Sequence, residues 1–257
     1  MKKFRILLLG GTAQARELSG VLADDPGLDL TVSLKGITEK PQPHGGRLIS
    51  GGFGGAAGLY DYFVENRIQA CINATHPFAA VMSENAHNAA GRVGIAYLRV
   101  KRPPWTRRDG DRWIEVETMD AAIAAIAPGA TAFLALGSQG SGAFAVRGDA
   151  RFLIRTADPV APERRWANAD YVIGLPNHDV EAEAALMQAR GVSVLVARNS
   201  GGGPGYAKIA AARLLDLPVV MIGPPLQCAG ERVENCAEAL KWLNSKRNMS
   251  CSPPISR

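Results

Sequence analysis

Short apolar runs alternate with longer stretches of helical periodicity along most of the chain. Periodic stretches of this kind predict amphipathic helices, and short continuous apolar runs predict buried strands. Predicted strands cover Phe4–Leu9, Leu28–Leu34, Arg47–Ile49, Gln69–Ile72, Ile95–Val100, Arg112–Val116, Ala130–Leu136, Arg151–Arg155, Val192–Ala197 and Pro218–Ile222. Predicted helices cover about Ala13–Ala23, Ala56–Asn66, Pro77–Ala90, Met119–Ala125, Val180–Ala189, Gly205–Leu215 and Val233–Asn244. Strands that alternate with helices are typical of an α/β fold with mainly parallel sheets.

The 257 residues suffice for two domains of ordinary size. We expect an N-terminal domain over 1–125, a second αβ domain over 126–245, and a flexible tail over 246–257. Glycine-rich loops in both predicted layers imply a cleft between the domains. No internal sequence repeat is evident.

Composition narrows the class of protein. With 47% hydrophobic and 21% charged residues, the chain reads as globular, and no apolar run is long enough for a membrane helix. Four scattered cysteines without ligand spacing argue against a zinc or disulfide framework and favour the cytoplasm. The formal net charge is +5, but the four cations after Glu238 leave the rest at +1. We therefore expect no nucleic-acid partner and no membrane partner.

Polar residues collect where predicted strands end. Thr75 and His76 follow the strand Gln69–Ile72, and Pro77 is suited to the first turn of a helix. The carboxyl edge of a parallel sheet is where ligands bind in such folds. The alternative is that Thr75 only caps the helix and His76 is a surface residue.

The first strand runs into Gly10-Gly11-Thr12, which is a weak match to a dinucleotide-binding turn. No acid stands between Leu30 and Thr38, whereas Ser33, Lys35 and Thr38 are present, a pattern that favours NADPH over NADH. Gly51-Gly52-Phe53-Gly54-Gly55 follows another strand and suits close approach of a ligand, although a flexible turn is the alternative.

Several catalytic classes lack their motif. The chain contains no phosphate-binding P-loop and no G-x-S-x-G elbow. Tyr97 and Lys101 have the Tyr-x-x-x-Lys spacing of short-chain dehydrogenases, but that pair needs a helix and these residues lie on or next to a predicted strand. What remains is a set of loops that bind a phosphate-bearing cofactor and a polyanionic substrate. Hydride transfer fits such loops because the cofactor supplies the chemistry.

The motifs together resemble those of the precorrin-6A reductase family of cobalamin biosynthesis. The resemblance spans about residues 4 to 222. It is carried by Leu7–Thr12 with Ala15-Arg16, Gly51–Gly55, Ala74-Thr75-His76-Pro77-Phe78-Ala79, Pro103-Pro104-Trp105 with Asp111-Arg112-Trp113, and Asn199-Ser200-Gly201-Gly202 with Lys208 and Ala211-Ala212-Arg213. It implies two Rossmann-like domains and an NADPH-dependent enzyme that delivers hydride to one carbon of the precorrin-6A macrocycle, giving precorrin-6B.

The resemblance also implies residue roles. The catalytic set would be Thr75, His76, Asn199 and Ser200, with His76 either a general acid or a backbone hydrogen-bonding residue. NADPH would be held by Gly10, Gly11, Thr12, Ser33, Lys35, Thr38, Gly51, Gly52, Phe53, Gly54 and Gly55. The polycarboxylate tetrapyrrole would be bound by Arg102, Arg198, Gly201, Gly202 and Lys208. No metal is expected, and the protein would be a monomer or a small homo-oligomer.

This chain departs from the family pattern at four places. It has Ile37 where the family usually has Arg, Asn73 where it has Asp, Arg198 where Lys is common, and Pro224-Pro225 in place of Arg-Pro. The departures at Ile37 and Asn73 motivate an alternative, a protein that binds NADPH or a tetrapyrrole without turning it over.

Overall fold

The computed structural model describes residues 3–36, 43–175, 177–203, 205–225 and 230–251. The chain forms two compact units. The first unit combines the chain up to Arg102 with the chain after Pro225, and the second unit is Pro103–Pro225. Each unit contains a parallel six-stranded sheet in the described part of the chain.

The first unit opens with a regular alternation of strands and helices. Its elements before Arg102 are β1 (Phe4–Leu9), α1 (Ala13–Ala23), β2 (Leu28–Leu34), β3 (Arg47–Ser50), α2 (Gly55–Glu65), β4 (Ala70–Asn73), α3 (Ala80–Val93) and β5 (Ala96–Val100).

The second unit has the same character. It contains β6 (Arg112–Val116), α4 (Met119–Ala124), β7 (Thr131–Ala135), α5 (Ser138–Ser141), β8 (Arg151–Thr156), β9 (Ala169–Ile173), α6 (Val180–Ala189), β10 (Val194–Arg198), α7 (Ala207–Leu214) and β11 (Pro218–Ile222), with 3-10 turns at Gly142–Val146 and Pro162–Arg164. The chain then completes the first unit with β12 (Glu231–Val233) and α8 (Cys236–Cys251).

Each sheet has a switch point, the place between two neighbouring strands from which the chain connections run in opposite directions. The first sheet runs β12-β5-β4-β1-β2-β3 and the second runs β6-β11-β10-β7-β8-β9. In the first sheet the chain turns from β1 toward β2 and β3 on one side, then returns to β4 and β5 on the other. In the second sheet β7 and β10 hold the corresponding positions. The space beyond the carboxyl ends of the two strands at such a reversal is the usual ligand site.

Strand β1 shows why a continuous apolar run forms a central strand. Ile6 and Leu8 pack on one face of the sheet with α1 and α8, while Leu7 and Leu9 pack on the other face with α2 and α3. All four side chains are buried, because helices cover both faces of the sheet. The sequence prediction of an α/β fold with parallel sheets is confirmed.

The division of the chain differs from the predicted boundary at residue 125. Strand β6, predicted in the N-terminal domain, pairs with β11 in the second unit. Strand β12 and helix α8, predicted in the second domain, belong to the first, where β12 pairs with β5. Pairings this distant in sequence leave no local signal.

The predicted tail also needs correction, because α8 continues through residues 246–251. Leu243 is buried against α1 and the first sheet, and Lys246 pairs with Glu231 at 3.0 Å. Arg247 pairs with Asp25, whose pKa is lowered first by the Gly27 backbone N–H and then by Arg247. These contacts anchor the helix, while residues 252–257 lie outside the described residues.

None of the helices in the described residues is both long enough and apolar enough to cross a membrane.

Candidate active site

At the first switch point, the loops after β1 and β4 are joined by one threonine. Thr12 caps α1 by accepting a hydrogen bond from Ala15 N–H at 3.1 Å. Its hydroxyl donates to the Ala74 carbonyl at 2.7 Å. Gly11 has φ +106°, which favours glycine, and nothing lies within 4 Å of the position a Cβ would occupy. The turn therefore holds the N-terminus of α1 open at the sheet edge, where backbone N–H groups can bind an anion.

The segment after β4 is a turn rather than the first turn of a helix. Helix α3 begins at Ala80, whereas the sequence predicted that Pro77 opens it. Ala79 N–H donates to the His76 carbonyl at 2.8 Å and closes the turn. Thr75 therefore does not cap a helix.

Asn73 organises this turn from within the sheet. Its side chain is fully buried at the end of β4. Oδ1 accepts hydrogen bonds from Thr75 N–H at 3.1 Å, from Thr75 Oγ1 at 2.8 Å, and from Arg99 Nη1. Nδ2 donates to Ser83 Oγ at 3.2 Å and to the Tyr97 hydroxyl at 3.0 Å. The amide thus links β4, α3 and β5 to the candidate catalytic turn.

Arg99 completes the network from the neighbouring strand. It lies opposite Asn73 in the parallel register of β4 and β5 and is 7% exposed. Its guanidinium donates to Thr75 Oγ1 at 2.7 Å and to the His76 carbonyl at 3.1 Å. Arg99 was not among the predicted site residues, because its only signal in the sequence is a cation at the end of an otherwise apolar strand.

His76 has a defined ring orientation. Phe78 N–H donates to Nδ1 at 3.3 Å, and the two rings lie 5.8 Å apart. Because Nδ1 accepts, the proton of the neutral imidazole lies on Nε2.

The glycine-rich loop after β3 is explained only in part by backbone geometry. Gly51, Gly54 and Gly55 have φ values of +115°, +77° and +89°, so the fold itself favours glycine there. Gly52 has no such φ, and nothing lies within 4 Å of its virtual Cβ. Phe53 packs edge-on against Tyr62 at 5.1 Å. Gly52 is exposed, so neither its backbone conformation nor packing against the described residues requires glycine there.

The end of β2 adjoins the first turn. Ser33 is buried, and its carbonyl accepts from Gly10 N–H at 2.9 Å. Lys35 is exposed just beyond the strand. Thr38 and Ile37 lie outside the described residues.

At the second switch point, Arg198 ends β10 beside the turn after β7. A Cβ at Gly140 would lie 2.7 Å from Arg198 Nη2, so glycine leaves room for the guanidinium. Gly137 has φ +72° and forms the strand-to-helix turn that the sequence predicted. Burial lowers the pKa of Arg198, as it lowers that of Arg102 in the first unit. Both side chains remain cationic near neutral pH, since arginine titrates far above it.

Asn199 is bound to Trp105 in both directions. Its Oδ1 accepts from Trp105 N–H at 2.7 Å, and its Nδ2 donates to the Trp105 carbonyl at 2.9 Å. The indole Nε1–H donates to the Gly202 carbonyl at 2.7 Å. Gly201 has φ +63°, and a Cβ there would lie 1.9 Å from the Pro103 carbonyl oxygen. The Pro103–Trp105 and Asn199–Gly202 motifs are thus two halves of one packed loop.

Lys208 packs against this loop from helix α7. It is 7% exposed on α7, donates to the Gly205 carbonyl at 2.6 Å, and its Nζ lies 5.3 Å from the Trp105 ring centroid. Ser200, which follows Asn199 in the loop, is buried, and its N–H donates to the Arg198 carbonyl at 2.8 Å.

A buried carboxylate explains two further motifs. Asp111 is 5% exposed and accepts from Arg213 Nε at 2.9 Å and from Arg108 N–H at 2.8 Å. Arg213 also donates to the Tyr206 hydroxyl at 2.7 Å, and its hydrogen bond to Asp111 is the main cause of its raised pKa. These residues fix the loop between β5 and β6 to α7.

The chain is similar to known proteins over most of its length. The family model described as Precorrin-6x reductase CbiJ/CobK matches residues 5–244. Precorrin-6A reductase of Sinorhizobium sp is 40% identical over 95% of both chains, and that of Rhodococcus erythropolis is 40% identical over 94% of this chain and 98% of its own. A solved structure titled CobK precorrin-6A reductase superposes with a TM-score of 0.89 at 36% identity, covering 95% of this chain and 97% of its own.

The chain belongs to the precorrin-6A reductase family. The resemblance drawn from the sequence motifs is confirmed, and with it the assignment to the oxidoreductases of cobalamin biosynthesis. The family motifs at Thr75–Ala79 and Asn199–Gly202 lie at the switch points of the two sheets. Among the described residues, no group of three or more His, Cys, Asp or Glu side chains is placed to hold a metal ion.

We expect Asn73→Ala to lower the free energy of unfolding by about 1–3 kcal/mol, because it strips hydrogen bonds from buried groups of Thr75 and Arg99. Turnover should fall with it, since Thr75 and His76 lose their support. Asn73→Asp keeps the acceptor for Arg99 but requires the Ser83 and Tyr97 hydroxyls to turn, so it should lie between wild type and Asn73→Ala.

Urea unfolding and kcat measured on both variants check this order. An alanine variant as stable and as active as wild type would show that the network does not support the turn.

Proposed function

We propose that the protein catalyses the NADPH-dependent reduction of precorrin-6A to precorrin-6B. The observation that carries the proposal is the first switch point, where the Gly10–Thr12 turn and the Thr75–His76 turn are joined by the Thr12–Ala74 hydrogen bond. One loop is suited to a nucleotide and the other carries polar groups suited to the reacting carbon. Family membership gives the reaction its class.

The described residues fit a dinucleotide cofactor. The N-terminus of α1, opened by Gly11, is suited to the pyrophosphate, and Gly10 and Thr12 keep it in place. Ser33 and Lys35 at the end of β2 suit a 2′-phosphate, because no acid stands there. The open space beside the Gly51–Gly55 loop, of which Phe53 is the anchored member, accommodates another part of the same molecule. Bound NADPH supplies the hydride.

Cations and backbone groups are assigned to the substrate. Arg102 and Arg198 are partly desolvated guanidinium groups, which bind a carboxylate more strongly than a fully hydrated cation does. Gly201 and Gly202 contribute backbone in a loop that Trp105 holds rigid, with Lys208 packed beneath it. The macrocycle carries many carboxylates, so several such contacts are needed.

The proposed catalytic residues act by position and by proton transfer. Thr75 and His76 are held in place by Asn73 and Arg99. For the proton transfer, His76 first takes up a proton from solvent at Nδ1 and loses the hydrogen bond from Phe78 N–H, and the resulting imidazolium donates Nε2–H to the reduced macrocycle and returns to neutral imidazole. Asn199 acts by holding Trp105, and Ser200 lies next to it in the loop. We propose that the reaction takes place in the cytoplasm, a reducing compartment that suits the buried free thiols of Cys71 and Cys236.

Anaerobic mixing of the protein with NADPH and precorrin-6A tests the proposal. We expect loss of reduced nicotinamide absorbance together with a product that has gained two hydrogens. Binding of NADPH or of the tetrapyrrole with no consumption would contradict the proposal. That result would favour the alternative, a binding protein on the same fold.

Gly52→Ala separates ligand contact from backbone need in the glycine-rich loop. Since its φ is ordinary and no protein atom is close, the variant should unfold with the wild-type free energy. Its KM for NADPH should rise by about tenfold, because a methyl group would then occupy ligand space. Gly91→Ala, at another open glycine inside α3, is the control for the added methyl group: it should raise the free energy of unfolding by up to about 1 kcal/mol through helix propensity and leave KM for NADPH unchanged. An unchanged KM for Gly52→Ala would mean that no cofactor approaches this loop.

A further inference from the structure

Strands β5 and β12 bring three cations together on one face of the first sheet. Arg232 lies opposite Arg99 in the parallel register, so their side chains leave the sheet on the same face. Lys101 is two residues beyond Arg99, and its N–H continues the ladder by donating to the Val233 carbonyl at 2.8 Å. Side chains two residues apart share a face, so Lys101 joins the other two at the carboxyl edge.

Two of these cations have no carboxylate partner in the part of the chain described. Arg99 serves the Thr75–His76 turn, but neither Lys101 nor Arg232 forms an ion pair with any described residue. The acid on β12, Glu231, is bound by Lys246 and by Trp242 Nε1–H instead. Lys101 is half-buried and Arg232 is exposed.

Like charges at paired strand positions destabilise a sheet. Lys101 is repelled in this way: its pKa is lowered first by burial and then by the charges of Arg232 and Arg99. The side chain of Arg232 forms no hydrogen bond with the described residues, so a neutral residue at position 232 would cost none. The charge repulsion destabilises the protein without a ligand, and an anion bound between the cations would offset it.

We propose that Lys101 and Arg232 form a binding subsite for a carboxylate of the macrocyclic substrate. The subsite lies at the same sheet edge as the Thr75–His76 turn, to which Arg99 connects it. It rests on the proposed function for the identity of the substrate, and it adds two residues that the sequence motifs did not indicate.

The position of the subsite favours a substrate carboxylate over a cofactor phosphate. Lys35, assigned to the 2′-phosphate, follows β2, whereas Lys101 follows β5. Strands β2 and β5 are separated by β1 and β4, so three strand spacings, roughly 14 Å, lie between the two lysines' strands. Strand β12 is one spacing farther. One phosphate therefore cannot contact both Lys35 and Lys101. The pyrophosphate is assigned to the loop after β1.

The test uses the full-length Lys101→Gln, Arg232→Gln and double variants, with Lys241→Gln on the exposed surface of α8 as the matched charge control. We expect the double variant to raise KM for precorrin-6A about tenfold, with each single variant in between. kcat and KM for NADPH should stay within about twofold of wild type, and Lys241→Gln should change nothing. The melting temperature should be unchanged or higher because a repulsion is relieved, whereas a purely structural role would lower it.

Binding of uroporphyrin, a polycarboxylate macrocycle, gives a second readout that does not depend on turnover. Its Kd should rise in the double variant by a factor similar to that of KM. If wild type fails to reduce precorrin-6A yet the double variant weakens uroporphyrin binding, the subsite stands and the proposed function fails. The subsite would be overturned if the double variant left KM for precorrin-6A unchanged or raised KM for NADPH instead. If there is no turnover, it would be overturned if wild type does not bind uroporphyrin or if the double variant binds it with the wild-type Kd.

Discussion

Parallel pairing is the constraint on which the rest of the structure depends. Because the strands of each sheet run in one direction, the loops that follow them emerge at one edge. At the first switch point this brings the Gly10–Thr12 turn beside Ala74, although 62 residues separate Thr12 from Ala74 in sequence. At the second it brings Gly140 beside Arg198. The sheets thus assemble candidate sites from short motifs that are far apart along the chain.

Two asparagine side chains hold these loops in shape. Asn73 is buried and bonds to three neighbouring elements, and Asn199 exchanges two hydrogen bonds with the backbone of Trp105. An amide can donate and accept at once, so each residue satisfies buried groups of both kinds. The departure from Asp at position 73 therefore leaves a connected network with Arg99, rather than a gap where a carboxylate would stand.

Much of the fold and the positions of the site loops could be predicted from local sequence, because apolar runs and glycine turns are local signals. The failures have long-range causes. Pro77 predicted a helix start, but Asn73 and Arg99 hold residues 75–79 in a turn and delay the helix to Ala80. Strands β9 and β12 were missed, and β12, with Glu231 and Arg232, forms because β5 offers an open edge. The contacts of Trp105 span 94 residues and have no periodic signature.

In the proposed reaction, these loops direct hydride from NADPH to the macrocycle. Reduction with NADPH carrying deuterium at one or the other face of C4, followed by mass analysis of the product, tests it most directly. We predict that one of the two labelled cofactors, and not the other, gives a product heavier by one deuterium, with the second hydrogen coming from solvent. A product reduced without deuterium from either cofactor would contradict the account.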